Sequence, residues 1–301
     1  MIISLLSFVK ANFYLDVKQM RKVLLILTFT LTIFSCGCGK VFTVIGIYCE
    51  EKGLYNRAFT FYNMAIEMDP DFAENYLRRA QVYCWHYNLY DEALSDYNKA
   101  IELNPNYAKA YNFRSSAYNM LNIKDQAIAD LDTAIKLNPL KPISYSNRGY
   151  LLIFDKQLDE AIHDCDKALM IDPKLAEAYL HRGLAYLIKK EYERGINEFN
   201  KALELKPDLK DVYSYRSLAY DNNEEYEKAL SDFDKSIKHD PKHAFSYFRR
   251  AGVYEKLGRF DDAIKDYESC ISNAISWEKE EVEKAKKKIE ELKAKKGNDA
   301  K

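Results

Sequence analysis

Apolar and small residues return through residues 39 to 277 in steps of three and four, the spacing of one face of an α-helix, with polar residues between them. The steps come in two blocks, which predict a helix A and a helix B, and the pair of blocks repeats. With its proline numbered as position 32, the unit starts at residues 39, 73, 108, 142, 176, 210 and 244. The patterned positions are 4, 8, 11, 17, 20, 24 and 27. Position 4 is aromatic throughout: Phe42, Tyr76, Tyr111, Tyr145, Tyr179, Tyr213 and Tyr247. Position 8 is small, as Gly46, Ala80, Ser115, Gly149, Gly183, Ser217 and Ala251, and so is position 20, as Ala58, Ala93, Ala127, Ala161, Gly195, Ala229 and Ala263. Small residues facing each other let two antiparallel helices approach closely while aromatic rings fill the remaining gaps, which assigns most of the 24 tyrosines to packing.

Six of the seven prolines, Pro70, Pro105, Pro139, Pro173, Pro207 and Pro241, stand 35, 34, 34, 34 and 34 residues apart. Each follows a B block, where a proline stops the helix because it lacks the N–H and clashes with the preceding turn. The second unit carries one extra residue between Tyr83 and Ala93. It is expected in the turn between the two helices, where added length costs little.

Composition agrees with a packed helical protein: 301 residues, 48% hydrophobic and 30% charged, with only 10 Gly and 7 Pro. Forty-five Lys plus Arg against 46 Asp plus Glu leave a net charge of -1, so nothing in the balance asks for a nucleic acid or an acidic polymer.

The 34-residue period, with its order of aromatic, small residue, tyrosine, alanine, aromatic and proline, resembles the tetratricopeptide repeat family over residues 39 to 277. The resemblance implies an all-α fold, a right-handed α-solenoid of seven helix–turn–helix units. Its A helices would line a concave groove that holds extended peptides or partner helices. It also implies a binding scaffold with no catalysis, no cofactor and no small-molecule substrate, and it leaves the ligand open.

In the seventh unit Ile275 replaces the proline, and Ser276 is placed to cap a further helix with acids in its first turn. Val282, Ala285, Ile289 and Leu292 form one apolar stripe on a Lys/Glu surface, which predicts a capping helix and polar tail over 278–301 that cover the last repeat. The competing reading, a basic arm, is weakened by nine Lys against seven acids in that stretch.

At the other end Lys18, Arg21 and Lys22 precede twelve uncharged residues, Val23 to Phe34, and then Ser35-Cys36-Gly37-Cys38-Gly39. A basic stretch, a short apolar stretch and small residues make a secretory signal over residues 1–35, with Met20 as an alternative start. Ile33 and Ser35 before Cys36 resemble a bacterial lipoprotein signal, from which Phe34 departs by its bulk. The resemblance implies an acylated Cys36 that holds the array, residues 36–277, at a membrane of the bacterial cell envelope. A secreted chain, or an uncleaved signal anchor, is the alternative.

Cys36, Cys38, Cys49, Cys84, Cys165 and Cys270 show no metal-ligand spacing. Cys49, Cys165 and Cys270 fall at core positions, and a Cys49–Cys84 disulfide is left open for an oxidising compartment. His239 and His243 straddle Pro241, so no continuous helix presents them as a metal pair. No nucleophile–base set, phosphate-binding loop or carboxylate pair is recognisable, and the chain reads as no enzyme.

Position 7 is Arg79, Arg114, Arg148, Arg182, Arg216 and Arg250; position 23 is Asp96, Asp130, Asp164, Glu198, Asp232 and Asp266; and the first unit breaks both at once with Ile45 and Phe61. Pairing within a unit leaves no member unmatched, so structural ion pairs from helix A to helix B are predicted rather than an anion site. Partner contact is then expected at A-helix positions 2, 5, 9, 12 and 13. The lysine and asparagine with which some family members clamp a carboxylate are absent there. An apolar run takes their place, and Tyr150, Phe154, Leu180, Leu184, Leu187, Ile188, Leu218 and Phe248 are the candidate partner-binding residues. Glu50, Glu51, Glu74, Lys109, Asp221 and Glu224 flank them. The expected function is a scaffold that binds a segment of another protein. The alternatives are an accessory subunit of an envelope enzyme or export complex, and a scaffold behind an uncleaved anchor.

Overall fold

A computed structural model of the chain describes residues 38–274 and 279–299; Cys36, the 1–35 leader and Met20 lie outside the described residues. All regular structure among the described residues is helical. The chain divides into two compact units, residues 1–137 and 138–301.

The first unit holds α1 (Cys38–Glu51), α2 (Tyr55–Met68), α3 (Ala73–Val82), a π-helical turn (Tyr83–Tyr87), α4 (Tyr90–Leu103), α5 (Ala108–Met120) and α6 (Lys124–Leu137). The second holds α7 (Pro142–Phe154), α8 (Leu158–Ile171), α9 (Ala176–Ile188), α10 (Tyr192–Leu205), α11 (Lys210–Asn222), α12 (Tyr226–His239), α13 (Ala244–Lys256), α14 (Phe260–Asn273) and α15 (Lys279–Asp299). The even-numbered helices up to α12 end one residue short of each Pro-containing turn, as the missing proline N–H requires.

Between A and B the chain reverses through one left-handed residue at position 15: Gly53, Asn122, Lys156, Lys190, Glu224 or Gly258. The N–H that follows returns to the carbonyl five residues back, as from Ile123 to Tyr118 (2.8 Å) and from Glu191 to Tyr186 (2.9 Å), which satisfies an orphan carbonyl at the helix end. In the second repeat the left-handed residue is Asn88, one position later, and the Leu89 N–H reaches six residues back to Tyr83 (3.0 Å). The extra residue therefore lies in the last turn of helix A, not in the loop after it. Widening one helical turn to the π form absorbs a residue while the reversal keeps its geometry.

Close approach at position 8 is real. A Cβ on Gly183 would stand 2.7 Å from the buried Phe199 ring, so α9 and α10 pack at a separation that only glycine allows there. Cys49 and Cys84 are free, buried thiols, and burial pushes the Cys84 thiol up to about 11. They pack as small apolar groups.

The arginine and acid pairs form within repeats. Nε and Nη2 of Arg79 donate to Asp96 (2.7 and 2.8 Å), and the same fork joins Arg114 to Asp130, Arg148 to Asp164, Arg216 to Asp232 and Arg250 to Asp266. Arg182 places both nitrogens on Glu198 Oε2 (3.0 and 2.7 Å). The remaining nitrogen, Nη1, bonds position 25 of the preceding repeat: Asn63 from Arg79, Asn98 from Arg114, Asp166 from Arg182, Asn200 from Arg216 and Asp234 from Arg250. One planar fork so joins three helices.

α15 closes the second unit. Ala285 and Leu292 are buried in one cluster with Ala251, Ala263 and Tyr267. Lys293 Nζ stands 3.8 Å from Glu268, the position-25 residue that a following arginine would otherwise take.

Candidate functional site

The candidate residues all lie on A helices of the second unit, where side chains that leave the A–B core are set by position. Phe154 and Ile188, at position 13, end α7 and α9 and are 49% and 45% exposed. Tyr150 is half-buried one turn before Phe154, its ring edge-on to Phe154 at 5.0 Å between centroids. Leu180 and Leu184, expected on the surface, are core residues at 6% and 5% exposure. Leu180 is clustered with Phe199 and with Val212 of the next A helix, so position 5 of this repeat fills the seam between A helices. Leu187 joins the same cluster. Leu218 packs against Ala229, Phe233 and Val253, and Phe248 lies edge-on to Tyr267 at 5.4 Å; both are half-buried. The surface that remains apolar is Tyr150, Phe154 and Ile188, with Phe245 at 38% exposure farther along.

The polar flanks are already engaged. In the first unit Arg78 stands 2.6 Å from Glu74 and 3.6 Å from Glu50, and Lys109 is 3.9 Å from Glu74. In the second, buried Asp221 holds Lys256 at 2.6 Å and Arg249 at 3.8 Å. These groups shape the A-helix faces through internal pairs.

Residues at position 6 add what the sequence reading missed. His181 Nδ1 lies 2.9 Å from Ser146 Oγ and 3.0 Å from the Ser146 carbonyl, and its ring tilts over Tyr150 at 4.8 Å. Burial lowers its pKa to about 4, against the pull of the Ser146 carbonyl and Glu177, so the ring is neutral near pH 7. Tyr215 stacks on Phe199 at 6.4 Å, and burial, with the nearby Tyr150 phenol and Asp211 carboxylate, pushes its phenol up to about 12. Burial and Asp211 raise Tyr150 as well. Tyr150 on α7 and Tyr215 on α11 thus both feel the Asp211 charge. Histidine and tyrosine at position 6 among core-forming residues were the signal available, and periodicity alone could not tell a seam from a face.

Asp211 also lines a cavity of about 310 Å³ with Lys210, His239, Asp240 and His243. Both histidines reach it because the proline turn folds back, which a continuous helix would not do. Among the described residues no three His, Cys, Asp or Glu side chains are grouped as metal ligands. No described helix is long and apolar enough to cross a membrane.

Tetratricopeptide repeat models match residues 88–142, 143–175, 176–209, 211–243 and 233–265. The chain belongs to the tetratricopeptide repeat family, whose members are in general non-catalytic scaffolds for protein–protein interaction. Among solved structures it is similar to a chain of the APC/C hetero-tetramer Cut9–Hcn1, with 18% identity, a TM-score of 0.74, and 88% of this chain and 52% of that one covered. A tetratricopeptide repeat protein from Parabacteroides merdae shares 19% identity at TM-score 0.63 over 84% of this chain and 98% of its own. The pilF protein of Pseudomonas aeruginosa shares 18% at TM-score 0.57 over 66% and 90%. At these identities the likeness concerns the fold, and the chain spans about half the length of its Cut9–Hcn1 counterpart. No curated protein matches the sequence significantly.

Proposed function

We propose that the second unit binds a segment of another protein across its A helices, centred on Tyr150, Phe154 and Ile188, and that the chain performs no reaction of its own. The observation that carries this reading is the pair of large apolar side chains, Phe154 and Ile188, left about half exposed at the same position of neighbouring repeats. Aromatic and aliphatic anchors of this kind supply most of the binding energy where a partner buries them. The finer reading adds a lipid anchor at Cys36, supported by the basic, apolar and small-residue pattern of residues 18–39.

A photo-reactive phenylalanine analogue placed at Phe154 or Ile188 tests the groove. Irradiation in the native host should give one discrete cross-linked protein from both sites. The same analogue at Met170, 76% exposed on helix α8, should give none. Equal labelling from all three positions would remove the assignment.

A further inference from the structure

We infer that a bare face of α1, made by Val41, Val44, Ile45 and Tyr48, lies against the lipid surface to which Cys36 is attached. The inference rests on the lipid-anchor reading proposed above and adds the surface on which the first unit sits.

Comparing the first repeat with the six that follow isolates the face. Position 3 is buried in every later repeat, as Asn75, Ala110, Ser144, Ala178, Val212 and Ser246. Position 10 is buried likewise, as Val82, Ala117, Leu151, Ala185, Ala219 and Val253. The B helix of the preceding repeat covers them. Val82 clusters with Tyr62 and Ala65 of α2, Ala110 and Ala117 with Tyr97 and Ala100 of α4, and Val212 and Ala219 with Phe199 and Ala202 of α10. In the first repeat these positions are Val41 and Tyr48, both only half-buried, and Val44 between them is 49% exposed. With Ile45 they follow at steps of three, one and three along one side of α1, while Phe42, Gly46 and Cys49 on another side are buried toward α2. No B helix precedes α1 among the described residues.

The chemistry of the face fits hydrocarbon better than another repeat. From the second repeat on, position 7 is an arginine that reaches back to the preceding B helix, as Arg79 Nη1 does to Asn63 and Arg114 Nη1 to Asn98. Ile45 holds that position in α1 and asks for no polar partner, and hydrocarbon offers none. Tyr48 brings an amphipathic ring, with Lys52 Nζ 5.7 Å from its centroid. Exposed Lys40 and Lys52 stand toward the two ends of the face, where lysine stems can lie on apolar surface and keep their charge among headgroups; exposed Glu51 borders it. Reach agrees as well, since Cys36 stands two residues before the start of α1 at Cys38, about 7 Å of chain at most. With 14 residues α1 is too short to cross a bilayer and suited to lie on one.

The probe is a photo-reactive phenylalanine analogue at Val44 of the full-length chain, with the same analogue at Met120, 51% exposed on α5 of the same unit, as the control. Membranes of the expressing bacterium are washed with high salt and irradiated, and the adducts are read by mass. Val44 should give phospholipid adducts at about tenfold the yield of Met120, because an interfacial helix buries its apolar side among acyl chains. With the analogue moved to Tyr48, adding Val44→Asp should lower the lipid yield about tenfold while circular dichroism stays unchanged, since a carboxylate resists transfer into hydrocarbon. Adducts with a second copy of the chain or with its residues 1–35 in place of lipid, equal lipid yields at Val44 and Met120, or an unaltered yield with Val44→Asp would each overturn the proposal. The intact mass of the same sample reads the anchor separately. An acylated Cys36 without lipid adducts at Val44 keeps the anchor and removes the face, and an unprocessed chain that still labels lipid at Val44 removes the anchor and keeps the face.

Discussion

Arg182 sits between three helices, donating to Glu198 on α10 through Nε and Nη2 and to Asp166 on α8 through Nη1. Burial opposes its charge, and the hydrogen bonds to Glu198 and Asp166 more than offset that, so its pKa is raised. The side chains of Arg182 and Glu198 are about one-fifth exposed, between the surface and buried limits for such pairs. Arg182→Glu would set three acids together and should cost on the order of 2 kcal/mol in urea unfolding. Adding Glu198→Arg should restore only part of the loss, because Glu at 182 still faces Asp166. Adding Asp166→Asn to the pair should restore more. Full rescue by the double variant would show that the Asp166 contact contributes nothing.

At the scale of the element, the stop signals were legible. Each B helix from α2 to α12 ends beside a proline that the spacing alone had picked out. The within-repeat pairs were legible because both partners vary together, down to Ile45 and Phe61 in the first unit. The second arginine bond was not, since position 25 mixes Asn63, Asn98, Asp166, Asn200 and Asp234 with no charge rule to mark it. The π turn was hidden for a different reason: an extra residue costs little in a loop or in a widened helical turn, and only the left-handed Asn88 distinguishes them. Leu180 and Leu184 read as surface because helical spacing does not say which neighbour a stripe meets. The capping stripe on α15 was plainer, being one apolar face on a charged helix. Leu292, 4% exposed against Tyr267 and its cluster, carries much of that contact. Leu292→Ala should cost about 2–4 kcal/mol. Hydrogen exchange should rise in α13 to α15 and stay unchanged in α7, and a uniform rise across the second unit would argue against a local cap.

Charge and anchorage belong to the whole molecule. Residues 1–35 contain Lys10, Lys18, Arg21, Lys22 and Asp16, a net +3, so a chain beginning at Cys36 carries -1 - 3 = -4. A body of that sign is not drawn to an anionic leaflet by its own field. On the anchored reading proposed above, attachment therefore depends on covalent lipid and is insensitive to salt, unlike a basic surface, whose attraction is screened within about 10 Å at 0.1 M. The expressed protein should fractionate with membranes, resist a high-salt wash, and have the mass of a chain that starts at an acylated Cys36. Cys36→Ala should move it to the soluble fraction. Unchanged membrane retention of Cys36→Ala at full-length mass would replace the lipid anchor by an uncleaved apolar one, Val23 to Phe34. Release of the wild-type protein by salt would remove both and leave an ionic surface to be found.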